Sequence, residues 1–393
     1  AHGSHRRPGC TDTVLVAAGT YVESINYNGK KISIIGEDRE TTIIDANGSR
    51  YGVVIDSSAL LKSFTIQNAS GSQWDFDGGG IEMDGNATLD DLIVQNNQAS
   101  GDQYGSGFGG GVIVLGSGIL KNSILRNNTG PSDHGELCVN NGSSELDTVT
   151  VENCLITSFS QGGCSVIFKY GSPRLVMKNC TTIGYLQISG DFGGYASVNN
   201  SIIFSNDYDP IYEDEVYENL IITYSNITNG YSGEGNIDAN PLFCNADSSN
   251  YTLAENSPCI GTGENGANMG AFGVGCGPYN FSPTEFSLST PSNNAQITID
   301  DSNMNDGFIT FSWGESSDEN GDSLVYLMHA TSTDIGDFSL DTNTTSIDIP
   351  YMELVDEMSE NNITSAIIEW TVDVTDGIDT VTAGNAPFTL NVD

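Results

Sequence analysis

The sequence predicts an all-β chain in which a solenoid of short β coils precedes a β-sandwich. A motif recurs every 26 to 31 residues, short apolar segments alternate with Gly, Asn and Asp turns, and this repeat stops after Cys276. The 393-residue length is also consistent with about two domains. The predicted parts are an N-terminal segment at 1–11 that looks like an expression remnant, the solenoid at 12–276, a linker at 277–285 and the sandwich at 286–393.

The recurring motif is Leu-x-x-x-x-apolar-x-Asn, and a turn and a glycine-led apolar segment follow it, as in GGGIEMDG at 78–85. Its copies are separated by 28, 31, 26 and 26 residues, and they end at Asn68, Asn96, Asn127, Asn153 and Asn179. A degenerate copy ends at Ser205. About ten coils fit between residues 12 and 276, which predicts a rod roughly 48 Å long at ~4.8 Å per coil.

Equivalent positions of successive coils stack, so the five motif asparagines are expected to form one column. A structural ladder that satisfies turn backbone groups is favoured over a ligand-binding row of amides. Charged residues are expected to stack in the same way, one column containing Lys62, Asp90, Lys121 and Asp147 and another containing Arg126, Glu152 and Lys178. These columns predict ion-pair ladders between coils.

The cysteines follow the same spacing. Cys138 is expected to stack on Cys164, and Cys154 on Cys180, because the two pairs are offset by 26 residues. Disulfides between coils and buried free thiols are both open for these four cysteines. In the closing segment we predict a Cys244–Cys259 bridge, and the even total of eight cysteines indicates an oxidising, extracellular setting.

After Cys276 the pattern becomes one of alternating apolar and polar residues, in FITFSW (308–313), SLVYLMH (323–329) and AIIEWTVDV (366–374). This alternation predicts a β-sandwich. Asp318, Asn320 and Asp322 in DENGD suggest a Ca²⁺ loop, but the glycine comes too early for an EF-hand and no glutamate closes it. A hairpin turn at Asn320-Gly321 is therefore preferred.

The repeats resemble the right-handed parallel β-helix family, which includes pectate-lyase-like enzymes and repeat-built surface proteins. The resemblance covers 12–276, from GTYVESI at Gly19–Ile25 through the GGGI and x-N-N repeats to NPLF and YTLAENSPCIGTG within 240–273. FSWGESSDENGDSLVY and EWTVDVTDG resemble fibronectin type III or immunoglobulin-like modules. The family implies a polysaccharide-related role without choosing between enzyme and adhesin.

Three long loops are predicted to form a ledge along one corner of the solenoid, at Asn68–Gly78, Asn96–Gly109 and Asn127–Gly135. Their aromatic and acidic side chains predict a sugar site, since aromatic faces stack on sugar rings and carboxylates bind hydroxyls or act as an acid/base pair. The substrate-binding candidates are Trp74, Asp102, Tyr104 and Phe108. The catalytic candidates are Asp75, Asp77, Asp133, His134 and Glu136. SDHGE at Ser132–Glu136 resembles the Asp/His/Glu cluster of alginate-epimerase-like β-helices, in a different order.

An acidic loop near the end of the solenoid is the candidate Ca²⁺ site, because hard oxygen ligands suit that ion. Its residues are Asp207, Asp209, Glu213, Asp214 and Glu215. A solvated acidic loop is the preferred interpretation. Ca²⁺ is the cofactor that this loop would suit if it binds one.

The charge of the chain limits its partners. The 12 Lys and Arg face 52 Asp and Glu, the net charge is −40, and the last basic residue is Lys178. Nucleic acid and anionic membrane are disfavoured, since both need clustered basic residues, and no apolar run is long enough to span a bilayer. A polyuronate lyase is disfavoured because Lys62, Lys121, Arg126 and Lys178, a third of the 12 basic residues, are already assigned to ladders.

These observations predict a secreted or cell-surface protein that binds extracellular polysaccharide, with hydrolysis as an open extension. A non-catalytic structural or adhesive protein is the alternative, and a Ca²⁺-assisted lyase is the third. Whether the chain is an enzyme, which glycan it recognises and its oligomeric state stay open.

Overall fold

The computed structural model describes residues 12–71, 79–99, 109–130, 134–140, 148–158, 164–169, 174–188, 195–205, 209–213 and 220–393. The chain divides into two compact units, 1–279 and 280–393, and each is described by itself.

The first unit is built from short strands in the order that the repeat predicts. They are β1 (Asp12–Val16), β2 (Gly19–Val22), β3 (Ile25–Asn26), β4 (Ile32–Gly36), β5 (Thr42–Asp45), β6 (Tyr51–Ile55), β7 (Leu60–Gln67), β8 (Gly79–Met83), β9 (Ala87–Gln95), β10 (Val112–Val114), β11 (Gly118–Lys121), β12 (Ile124–Arg126), β13 (His134–Asn140), β14 (Thr148–Glu152), β15 (Leu155–Thr157), β16 (Cys164–Lys169), β17 (Arg174–Lys178), β18 (Thr181–Ile183), β19 (Tyr185–Ile188), β20 (Tyr195–Asn199), β21 (Ile202–Phe204), β22 (Ile211–Glu213), β23 (Leu220–Thr223) and β24 (Asn226–Ile227).

These strands pair in parallel and stack in three rows, so the unit is a parallel β-helix as predicted. The first row is β1, β4, β7, β9, β11, β14, β17, β20 and β23, and the second is β2, β5, β7, β9, β12, β15, β18, β21 and β24. The third row is β3, β6, β8, β10, β13, β16, β19 and β22. The long strands β7 and β9 belong to two rows and join them into one sheet. The described part of the chain therefore winds through nine coils, against the ten expected.

The core runs along the inside of the coils as stacked apolar columns. One column follows the register of the first row and is almost completely buried, with the members Leu61, Leu89, Leu120, Val151, Met177, Val198 and Ile222. These side chains belong to one hydrophobic core that also includes buried residues of the other two rows. The column thus combines the leading Leu of three motif copies with the later apolar position of the two copies that follow, and its burial helps to hold the coils together.

The register corrects the predicted asparagine column. Asn68, Asn96 and Asn127 do stack, but Asn127 aligns with Ser158, because Arg126 pairs with Thr157. Asn153 and Asn179 belong to another corner, which we call the first corner, between the first and second rows. Members of the first corner are Ser63, Asp91, Asn122, Asn153, Asn179 and Asn200. The second corner, after the second row, contains Asn68, Asn96 and Asn127 in register, and Asn47 lies one residue beyond the position that is aligned with Asn68.

Both corners use the same backbone device. All ten of these residues have positive φ, between 47° and 61°, the left-handed region that asparagine tolerates better than most residues. In the first corner the amides also bond from coil to coil, since Asn153 Nδ2 donates to Asn122 Oδ1 at 3.1 Å and Asn179 Nδ2 donates to Asn153 Oδ1 at 3.2 Å. The prediction of a structural ladder therefore fits, with its members distributed over two corners.

The observed register also alters the predicted columns of charged residues. Lys62, Asp90 and Lys121 stack as predicted, with Lys62 Nζ 3.1 Å and Lys121 Nζ 3.9 Å from Asp90 Oδ2. Lys121 is aligned with Glu152 and Glu152 with Lys178, while Asp147 lies outside the described residues. The predicted grouping of Arg126 with Glu152 is wrong, because Arg126 is aligned with Gln95 and bonds to its Oε1.

The coils end near Ile227, and a different structure closes the first unit. Strands β25 (Phe243–Asn245), β26 (Asn250–Ala254) and β27 (Val274–Cys276) form a small sheet, with short 3₁₀ helices at Ala246–Ser248 and Glu264–Gly266. A disulfide joins Cys244 to Cys276 across this sheet. The predicted Cys244–Cys259 bridge is therefore wrong, and Cys259 is a buried free thiol.

Of the two other predicted cysteine pairs, one stacks as predicted and the other does not. Cys154 and Cys180 do stack, because Leu155 pairs with Thr181 and the Thr181 N–H donates to the Cys154 carbonyl at 2.9 Å, and both are buried free thiols. Cys138, which is buried, is aligned with Ile167 after an irregularity in the register, whereas Cys164 is aligned with His134. The predicted stacking of Cys138 on Cys164 is therefore wrong.

The second unit is a β-sandwich with one helix. Its elements are β28 (Leu288–Thr290), β29 (Ala295–Ile297), β30 (Phe308–Trp313), β31 (Val325–Thr331), β32 (Phe338–Thr342), β33 (Ser346–Pro350), α1 (Tyr351–Glu360), β34 (Ala366–Thr375), β35 (Thr380–Thr382) and β36 (Phe388–Val392). One sheet has the order β28-β30-β33, and the other has β29-β36-β34-β31-β32 with β35 beside β34. The three predicted strands correspond to β30, β31 and β34.

The core of the second unit lies between these sheets. It includes Phe311, Trp313, Tyr326 and Trp370, and the Phe311 and Trp370 rings meet edge to face at 5.0 Å. Helix α1 was not predicted; Leu354 and Met358, one turn apart, are its buried residues. Strands β30 and β31 belong to different sheets, so Asn320-Gly321 lies in a connection between sheets and the predicted hairpin turn is wrong.

Candidate functional site

The anchors of the ledge stack in register along the parallel β-helix. On one side, Ser70 bridges to Gln98 and Gln98 bridges to Thr129. On the other side, β8, β10 and β13 are hydrogen-bonded neighbours in the third row. The three segments of the ledge therefore leave and rejoin the helix at equivalent positions of three consecutive coils.

Most of the predicted ledge residues lie outside the described residues. They are Trp74, Asp75, Asp77, Asp102, Tyr104, Phe108 and Asp133. For His134 the structure describes the backbone, which belongs to β13. Glu136 is the member of the predicted catalytic set whose side chain is described, and its environment is therefore informative.

Glu136 is completely buried and continues a polar ladder at the floor of the ledge. Its Oε1 accepts from the Asn128 N–H at 3.1 Å and its Oε2 accepts from Asn128 Nδ2 at 2.6 Å. Asn128 Oδ1 in turn accepts from the N–H of Asn97 at 3.0 Å, and Asn97 Oδ1 accepts from the N–H of Ala69 at 3.0 Å. We call Asn97, Asn128 and Glu136 the buried polar ladder.

This ladder satisfies backbone groups where the chain turns into the ledge. Asn128 Nδ2 also donates to the Val94 carbonyl, and Asn97 Nδ2 donates to the Ile66 carbonyl. Buried backbone donors and acceptors left unpaired would each cost about 1–3 kcal/mol. The signal in the sequence was the x-N-N doublet, whose first Asn adopts positive φ and whose second Asn is buried.

Burial controls the charge of Glu136. Desolvation raises the pKa of its carboxyl to about 8, against two opposing hydrogen bonds from Asn128. A raised pKa is what a general acid needs, but this carboxyl has no accessible surface and both its oxygens bond to Asn128. The predicted catalytic role therefore does not fit Glu136, whose position makes it a structural group.

Close packing of glycines completes the floor. A Cβ added at Gly80 would lie 2.7 Å from the Gly111 carbonyl oxygen and 2.8 Å from Asn97 Nδ2, and one added at Gly110 would lie 2.2 Å from the Thr129 carbonyl oxygen. The GGG runs therefore mark coils whose backbones approach too closely for any side chain. The floor of the ledge is rigid, which suits a scaffold that presents variable loops.

Several basic residues of the first unit are engaged in contacts between coils. Partial burial acts to raise the pKa of Asp90, but hydrogen bonds from Asn122 and Lys62 and the charges of Lys62 and Lys121 outweigh it and lower the pKa. Arg126 is bound to Gln95, and Arg174 stacks on the Tyr195 ring at 4.7 Å. These contacts leave those side chains unsuited to recruiting a carboxylate ligand.

The predicted acidic Ca²⁺ loop is described in part. Asp207, Asp214 and Glu215 lie outside the described residues, and of Glu213 the backbone alone is described. Asp209 is exposed, and its Oδ1 accepts from the N–H of Ile211 at 3.2 Å. That contact is a local turn, so the Ca²⁺ site in this loop stays a prediction.

The described helices include none long and apolar enough to cross a membrane.

Comparison with protein-family models and with curated proteins finds no match. Among solved structures, the chain resembles a pectin methylesterase from Yersinia enterocolitica, at 10% identity and a TM-score of 0.31, over 58% of this chain and 78% of that one. It also resembles a pectin methylesterase in complex with a hexasaccharide (13% identity, TM-score 0.29) and one from Erwinia chrysanthemi (12%, 0.29), each over 58% of this chain and 74% of the other. Such values are too low to transfer any residue or activity to this chain.

Proposed function

We propose that this chain binds an extracellular polysaccharide along the ledge of its parallel β-helix. The observation that supports the proposal is the stacking of the loop anchors, Ser70, Gln98 and Thr129 on one side and β8, β10 and β13 on the other. Three loops that start from one corner of consecutive coils offer a row of subsites along the helix axis. A repeating polymer is the ligand class that a repeating row of subsites suits.

The composition of the ledge favours a sugar over other polymers. Trp74, Tyr104 and Phe108 supply ring faces for stacking, and Asp75, Asp77 and Asp102 supply acceptors for hydroxyl groups. Because the net charge is −40 and several cations of the first unit are engaged between coils, a neutral glycan is favoured over a polyuronate.

An extracellular location is part of the proposal. The Cys244–Cys276 disulfide is a bond that persists in oxidising compartments, and the strong negative charge suits solution outside the cell. We propose that the β-sandwich acts as a spacer after the glycan-binding solenoid. We also propose that it is a module of the fibronectin type III kind, which its sequence resembles.

Hydrolysis is an extension that depends on the remaining acids. With Glu136 assigned to the buried polar ladder, the acid pair of a glycosidase would come from Asp75, Asp77 and Asp133. The alternative function, a structural or adhesive surface protein, is favoured by one observation: the amides of Asn122, Asn153 and Asn179 and the Lys62–Asp90 ion pair make their contacts from coil to coil. A Ca²⁺-assisted lyase ranks third.

Replacing Trp74 with alanine tests the proposal. On an array of neutral and uronate polysaccharides, with and without CaCl₂, the wild-type chain should bind neutral glycans and W74A should bind at least tenfold more weakly, since stacking on an aromatic ring is lost. The matched control is F308A, which removes an aromatic side chain 54% exposed on the second unit.

Equal binding by W74A and the wild type would exclude Trp74 from the site. A wild-type chain that binds no glycan on the array would favour the structural alternative. Release of reducing ends from a bound glycan, lost on D75N or D133N, would extend the function to hydrolysis.

A further inference from the structure

Three carboxylates of the second unit meet at one end of the sandwich. Asp318 and Asp322 lie in the connection before β31, and Asp376 follows β34. Since Val325 pairs with Thr375 in antiparallel register, the residues before β31 and after β34 are neighbours in space. One carboxylate oxygen from each aspartate lies within 4.8 Å of the other two.

The carboxylate of Asp318 supplies a second observation that points to a ligand. Its Oδ1 accepts from the Asp322 N–H at 3.2 Å, but its Oδ2 is buried, with less than 1 Å² accessible, and has no hydrogen-bond partner. A buried carboxylate oxygen that has lost water and gained no donor is costly. A cation between the three aspartates would supply the missing interaction.

The second unit has no basic side chain to take that place. Residues 280–393 contain no Lys or Arg, and their one histidine, His329, lies 3.5 Å from Asp373. The second unit itself therefore supplies no Lys or Arg to the three aspartates.

Other contacts hold two of these groups in place. Asp376 Oδ1 accepts from the N–H groups of Ile378 and Asp379, and its Oδ2 accepts from Asn280 Nδ2 at 2.8 Å. In the other loop, Gly321 adopts a φ of 80° and donates its N–H to the Asp318 carbonyl at 3.2 Å, which closes a turn between Asp318 and Asp322. The carboxylates are thus positioned before any ion binds.

We propose that Asp318, Asp322 and Asp376 bind a divalent cation, and that the cation is Ca²⁺. The donors are carboxylate oxygens from two loops, which suits an ion that accepts six to eight oxygen ligands in irregular geometry. Mg²⁺ demands a near-octahedral shell, and Zn²⁺ prefers nitrogen and sulfur. DENGD thus supplies two ligands, and the distant Asp376 supplies the acidic group that the loop itself lacks.

The ion joins three separate parts of the second unit. It links the loop at 318–322 to the turn at 376–379, and Asn280 extends the link, since its Nδ2 also donates to Asp379 Oδ2 at 2.9 Å. The Phe281 N–H donates to Asn320 Oδ1 at 2.6 Å, so the first residues of the unit bond to both loops. Binding of Ca²⁺ is therefore expected to rigidify the start of the second unit.

Calorimetric titration of the full chain, stripped of metal with EDTA and dialysed, tests the site. The wild type should bind Ca²⁺ at this site with a Kd of roughly 10⁻⁴–10⁻³ M, the range of extracellular modules. D318N and D376N should each lose one site or weaken it at least tenfold. E319Q, an exposed acid in the same loop, removes the same charge and should bind as the wild type does.

Hydrogen exchange provides the second readout and covers a variant that folds poorly. Millimolar Ca²⁺ should slow exchange at 318–322 and 376–379 in the wild type and in E319Q, and not in D318N or D376N. NaCl at equal ionic strength separates binding from screening. The proposal is overturned if D318N and D376N titrate like the wild type, or if NaCl reproduces the full effect of Ca²⁺.

Discussion

At the residue scale, burial decides the role of an acid. Glu136 stands in a segment rich in charged and polar residues, yet it is completely buried and bonded twice to Asn128. Its folded pKa, about 8, lies above the ordinary value of 4.5, so the folded state holds a proton that the unfolded chain releases between these two values. The stabilising contribution of this proton is complete below about pH 4.5 and is lost as the pH rises through 8.

Replacing Glu136 with glutamine should remove this pH dependence. At pH 5, E136Q should be less stable than the wild type. Both oxygens of Glu136 accept hydrogen bonds from Asn128, and in glutamine an NH₂ group, which cannot accept, replaces one of these oxygens. At pH 8.5 the deficit should shrink or reverse, since the wild type then buries a charge at a cost on the order of 4 kcal/mol. Urea unfolding at pH 5, 7 and 8.5 measures the difference, with E255Q, an exposed acid, as the control. A constant difference between E136Q and the wild type across this range would contradict the assignment.

At the element scale, glycine and asparagine set the coil geometry for different reasons. Asparagine provides the left-handed corner, and glycine allows neighbouring backbones to touch beneath the ledge. The strands themselves were predictable, because apolar alternation within one strand is a local property. The register was not, because both corners place an asparagine after a strand, and the motif cannot tell one corner from the other.

Gly110 provides a test of the close packing. G110A should destabilise the first unit by roughly 2–3 kcal/mol, because its Cβ would overlap the Thr129 backbone, which cannot move without shifting a coil. The control is G273A, where an added Cβ meets nothing within 4 Å. Urea denaturation followed by circular dichroism compares the two. Equal midpoints for the two variants would show that the coil below relaxes without cost.

At the scale of the whole molecule, charge is distributed unevenly between the units. Every Lys and Arg lies at or before Lys178, where several take part in contacts between coils, whereas the second unit is purely acidic apart from His329. Screening should therefore relieve repulsion in the second unit and weaken ion pairs in the first.

Salt should stabilise the two units differently. Raising NaCl from 0.01 M to 1 M shortens the Debye length from about 30 Å to about 3 Å. With EDTA present, this increase in NaCl should slow amide exchange roughly tenfold in strand β34 of the second unit. In strand β9 of the first unit, amide exchange should change little or accelerate. Exchange mass spectrometry on the full chain measures both strands at once, and sucrose of equal osmolality controls for solute exclusion. Uniform slowing in both strands would contradict a charge-based origin.

The sequence by itself determined the winding coils of the first unit and the alternating strands of the sandwich, but it predicted neither helix α1 nor the end of the coils near Ile227. It also predicted the ledge, because loop length is visible between repeats. The tertiary structure decided which corner each asparagine occupies, that Glu136 is buried, that Cys244 bonds to Cys276, and that Asp376 joins Asp318 and Asp322. The physical reason is that strand alternation depends on adjacent residues. Contacts between coils or loops depend instead on the length of every intervening segment, which hydrogen bonding and packing fix together.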